Sequence, residues 1–123
     1  MLIQKVLKNH IKFLNDVQAN LEEIIATTTR NTEVSRLLSN GFHMLKEKDR
    51  KTVSKVLLTD LSVVTGYREA DLVDLVAQLH YTSAMGIVST TESDLYDLVY
   101  CMDIPLMITR MKHRYAEVES MMA

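Results

Sequence analysis

Only three glycines and one proline interrupt a chain of 123 residues, and apolar residues recur at helical spacing nearly throughout. Hairpins and sandwiches need frequent Gly, Asn and Pro turns, so the punctuation of an all-β fold is missing. The expectation is all-α: a compact bundle or orthogonal array of five to six helices, forming a single domain over residues 1–123. A chain of this length buries a core without disulfides or metal. Its 47% hydrophobic and 24% charged residues belong to an ordinary globular protein rather than a disordered one.

The spacing predicts a first helix over 2–27, with Ile3, Val6, Leu7, His10, Leu14, Val17, Leu21, Ile24 and Ile25 on one stripe. Such a stripe spans roughly 100°, the width of a core-facing surface. The polar stretch 27–31 separates it from a second helix over 32–48, with Val34, Leu37, Leu38, Phe42 and Leu45 inward. Gly41 sits mid-helix there and costs about 1 kcal/mol against Ala, which marks close packing or a break. A third helix follows over 50–64, ended by Gly66 as a C-terminal stop. The fourth runs over 68–85 and buries Leu72, Leu75, Val76 and Leu79. Ser89 and Glu92 match a capping box that opens a fifth.

Pro105 governs the last element. Before it, Leu95, Leu98, Val99 and Met102 share a face; after it, Met107, Ile108, Met111, Tyr115, Val118 and Met122 share another. On one continuous helix the two faces differ by roughly 180°. Proline disrupts a helix interior, so a break at 103–105 is the favoured reading. The alternative is one long helix with apolar surface on both sides, its second stripe including Tyr96 and Tyr100 and needing a partner.

The charge pattern is uneven. Net charge is −2, which gives the whole molecule no general attraction to nucleic acid or anionic lipid. Yet no Lys or Arg lies between Arg68 and Arg110, and within that interval a motif recurs: Glu69-Ala-Asp71-Leu-Val-Asp74-Leu-Val and Glu92-Ser-Asp94-Leu-Tyr-Asp97-Leu-Val. Each copy opens a helix with carboxylates, where the macrodipole favours negative charge. Each Asp pair is spaced i,i+3 and so shares a face. Capping and solvation explain these carboxylates most simply; docking of a basic partner surface is the functional reading, and a hard divalent cation a third.

Other candidates carry less chemistry. His43, His80 and His113 lack ligand spacing with one another or with Cys101, and no metal-ligand, phosphate-loop or nucleophile motif occurs. Neither a metal, a cofactor nor a catalytic residue is expected, and the chain reads as a binding protein rather than an enzyme. Cys101 is the sole cysteine and reads as a small buried apolar residue; without a second, no intrachain disulfide forms, which suits a reducing compartment. No run reaches the roughly 18 apolar residues of a membrane span, and Met1–Lys5 lacks a basic leader, so the expected location is the cytoplasm.

The leading expectation is a protein–protein interaction module (adaptor, chaperone, inhibitor or regulator). Glu69, Asp71, Asp74, Glu92, Asp94 and Asp97 would steer a basic protein partner. Tyr96, Tyr100, Met107, Met111 and Tyr115 would supply apolar contact, since Tyr and Met are enriched at interfaces. A homodimer through helix 1 or the C-terminal stripe is a variant of this. The alternatives are nucleic-acid binding through Lys46, Lys48, Arg50, Lys51 and Lys55, which Glu47 and Asp49 interrupt, and a metal-dependent helical hydrolase using the paired Asp residues.

Overall fold

The computed structural model describes residues 2–82 and 95–122. Helices are the regular elements of these residues, with no strand among them. In chain order they form α1 (Leu2–Ala19), α2 (Leu21–Thr29), α3 (Thr32–Leu38), a 3-10 turn (Phe42–Met44), α4 (Glu47–Thr65), α5 (Glu69–Thr82), a π-helical turn (Asp97–Cys101) and α6 (Ile104–Met122). The all-α expectation holds, but the chain is cut into more pieces than five to six helices. The capping box at Ser89 and Glu92 lies outside the described residues.

The extra cuts have local causes. The expected first helix is two, α1 and α2, because Asn20 interrupts it. Its backbone N–H donates to Val17 O at 3.1 Å, while its side-chain Nδ2 takes the Asp16 carbonyl at 2.7 Å. An amide side chain thus replaces one rung of the backbone ladder, a competition that Asn makes easily. The expected second helix also ends early, at Leu38. Gly41 adopts φ +87°, a left-handed conformation that glycine enters freely, and the chain re-forms as the 3-10 turn. Asn31 caps α3, its Oδ1 accepting from Val34 N at 3.1 Å. Gly66 ends α4 as expected, with φ +80° and its N–H on Ser62 O at 2.9 Å.

The last element does break. Met102 N donates to Asp97 O at 2.8 Å, a bond across five residues that closes the π turn. Asp103 then restarts the helix by accepting from Leu106 N at 3.1 Å, and Pro105 occupies the first turn of α6, where its missing N–H is harmless. The turn resolves the clash between the two stripes. Leu95, Leu98 and Val99 on one side, and Ile104, Met107, Ile108 and Met111 on the other, are all buried in one core.

That core centres on α1, which packs chiefly against α6 and also against α4 and α5, while α2 and α3 lie against α4. Leu7, Phe13, Leu14 and Val17 of α1 are fully buried; each large apolar side chain so buried contributes about 1.5–3 kcal/mol. Two polar residues are equally buried, His10 and Thr28. Thr28 Oγ1 donates to Asp60 Oδ2 at 2.8 Å, which ties α2 to α4. No helix among the described residues is long and apolar enough to cross a membrane.

Candidate functional site

The acidic face of α5 forms one wall of an open groove against α1. The groove holds about 350 Å³ and is lined by Asn9 and Lys12 of α1, Tyr67 before α5, and Asp71, Asp74, Leu75 and Gln78 of α5. The helical period places Asp71, Asp74, Leu75 and Gln78 on one face of α5, since residues three and four apart are neighbours.

Charges around the groove are unequally compensated. Lys12 Nζ pairs with Asp16 Oδ2 at 3.1 Å, and Tyr67 Oη donates to the same oxygen at 2.5 Å. The Tyr67 hydroxyl is the largest influence holding the Asp16 carboxyl below its ordinary range, and the Lys12 ammonium adds to it. Arg68 Nε pairs with Asp71 Oδ2 at 3.0 Å. Glu69 and Asp74, both exposed, have no ion-pair partner among the described residues. The mouth of the groove therefore keeps a negative bias, carried by Asp74 within it and Glu69 at the start of α5.

The two halves of the acidic repeat do not share this surface in the described residues. Glu92 and Asp94 lie outside them. Asp97 belongs to a second cluster, in which the 3-10 turn meets the π turn. Its Oδ1 is 3.8 Å from His43 Nε2, and its side chain is only 13% exposed. The Cys101 thiol, one π turn along, hydrogen-bonds to Asp97; partial desolvation first, then the Asp97 charge and this hydrogen bond, raise its pKa above the ordinary value. Cys101 is exposed rather than buried as expected.

Aromatic rings build the wall of this second cluster. Tyr96 stacks on Phe42 with centroids 4.2 Å apart and planes at 7°, and on Tyr100 at 4.9 Å and 24°. The His43 ring meets Tyr96 edge-on at 5.8 Å and 88°. Burial is the main reason both tyrosine hydroxyls hold their protons more tightly than usual. Tyr96 and Tyr100 are thus half-buried parts of an internal stack, not a free stripe.

The methionine half of the expected contact surface is corrected outright. Met107 and Met111 are 1% and 4% exposed and sit in the core beside α1. They are unavailable to a partner because the break at Asp103 turns their face inward. Tyr115 is half-buried further along α6.

Sequence spacing gave no sign of Asn9, Lys12 or Gln78 as groove residues, or of His43 beside Cys101, because those neighbours come from distant parts of the chain. The basic segment is partly occupied: Lys51 Nζ pairs with Glu47 Oε1 at 3.1 Å, and Arg50 donates to the Leu45 carbonyl at the end of the 3-10 turn. Comparison with protein families, curated proteins and solved structures finds no match.

Proposed function

We propose that the chain is a cytoplasmic protein-binding module, not an enzyme, and that the α1–α5 groove receives a basic segment of a protein partner. The observation that supports this reading is the carboxylate of Asp74, without an ion-pair partner among the described residues, in an open groove also lined by Leu75 and Tyr67. Leu75 and the Tyr67 ring offer apolar contact to an aliphatic side-chain stem, as long basic residues present one beneath their charge. Asp74 meets the charged head, and Glu69 extends the field for encounter. Asn9 adds an amide group able to bond an extended backbone.

This role narrows the acidic surface to Glu69, Asp71 and Asp74 and drops Met107 and Met111. A homodimer built on the C-terminal stripe has neither methionine exposed for burial. Selection of random displayed peptides on the intact protein tests the reading. Enriched sequences should carry Lys or Arg, and their affinity should fall as salt is raised, because exposed charge pairs are screened. Enrichment of acidic or purely apolar peptides, or binding unchanged by Asp74→Asn, would contradict it.

A further inference from the structure

We propose that His43, Asp97 and Cys101 form a three-ligand site for a zinc-class divalent transition-metal ion. The donor set is an imidazole, a carboxylate and a thiol, and their ligating atoms all lie within 4.8 Å of one another. It is the one such group of three among the described residues. Imidazole and thiolate select zinc and its neighbours over magnesium or calcium, which take all-oxygen shells. Zn–N and Zn–S bonds of about 2.0–2.3 Å with tetrahedral angles place neighbouring donors about 3.3–3.8 Å apart. For the nitrogen–oxygen pair the same geometry gives about 3.3–3.5 Å, so the His43–Asp97 separation of 3.8 Å has to close by a few tenths of an ångström. Pairs with sulfur need about 3.5–3.6 Å, so from a separation of at most 4.8 Å the sulfur closes by about 1.3 Å at most, within reach of a side-chain torsion at exposed Cys101.

Two further features of the fold favour the site. The π turn Asp97–Cys101, a deviation that recurs at functional sites, holds two of the donors one turn apart. The third comes from the 3-10 turn, with the His43 ring set edge-on against both Phe42 and Tyr96. These edge-on ring contacts pack against the imidazole, whose Nε2 is the atom nearest Asp97. The Cys101 thiol is in hydrogen-bond contact with Asp97 and carries one proton for a metal to displace. Metal entry forms an M–S, an M–O and an M–N bond and releases that proton to water. Three protein donors leave a coordination position for water, since His43 and Cys101 both face solvent.

The test is titration of the reduced full-length chain with Co²⁺, followed by displacement with Zn²⁺. One equivalent should bind, with thiolate-to-cobalt charge-transfer absorption and the intense visible bands of a four-coordinate ion. Cys101→Ser should abolish the charge-transfer band. His43→Ala and Asp97→Asn should each weaken binding at least tenfold, the minimum that loss of even an outer-shell partner costs. His43 and Cys101 are exposed, so those two variants keep the fold, which circular dichroism checks. His113→Ala and Asp74→Asn should change nothing; Asp74→Asn also separates this site from the peptide groove. Absence of stoichiometric binding, or full affinity in His43→Ala, would overturn the site.

Discussion

His10 shows how burial overrides a residue's ordinary chemistry. Its side chain is fully buried in α1, and Nε2 lies 3.2 Å from the Gln78 carbonyl oxygen, so the paired tautomer carries Nε2–H. Burial lowers its pKa, because a buried imidazolium loses water, while the Gln78 contact pulls weakly the other way. Between that lowered value and the unfolded value of about 6.5, the unfolded chain binds more protons than the folded one. Stability from this group is therefore complete above about pH 6.5 and is lost as pH falls towards the folded pKa. Urea midpoints measured across this range should fall more steeply for the wild type than for His10→Leu, which keeps the apolar volume and cannot ionise. Parallel curves would show that another group governs the acid limb. The stripe in the sequence already put His10 among core positions; its partner Gln78 was invisible because it comes from another helix.

At the scale of elements, short polar side chains decide where helices stop. Between the π turn and α6, Asp103 caps the first turn of α6 with its side chain, so Asp103→Ala should cost about 1 kcal/mol, read as a lowered denaturation midpoint. Asp103→Asn or Asp103→Ser, which also cap, should retain most of the stability; equal loss in all three would mean that the charge or the turn itself matters more. Where a stop was backbone-driven, it could be read in advance: Gly66 and the Pro105 break both follow from chain stereochemistry. The break at Asn20 could not. Val17, Leu21 and Ile24 keep helical spacing straight through it, and the cause is a side-chain bond to the Asp16 carbonyl, a competition that propensity does not resolve. Likewise, spacing placed Tyr96 and Tyr100 on a surface stripe, whereas their stacking on Phe42 depends on how the 3-10 turn folds back against the π turn.

The whole molecule separates an apolar interior from two polar clusters. Both stripes flanking Pro105 point into one core, so Met107→Ala or Met111→Ala should act as large-to-small core changes and cost about 2–5 kcal/mol. The acidic bias of the α5 face was legible in the sequence, as carboxylates at i,i+3 in a segment without basic residues. Its pairing with α1 was not, since Lys12 and Asn9 meet it only in the folded chain. A net charge of −2 supplies little long-range field, so the proposed recognition would rest on the groove itself. The decisive measurement is quantitative affinity capture from lysate with wild type and the triple variant Glu69→Gln, Asp71→Asn, Asp74→Asn, with captured proteins identified by mass spectrometry. The groove predicts a basic protein held by the wild type and lost from the variant, with the variant's thermal unfolding little changed; equal capture by both would contradict a partner site on α5.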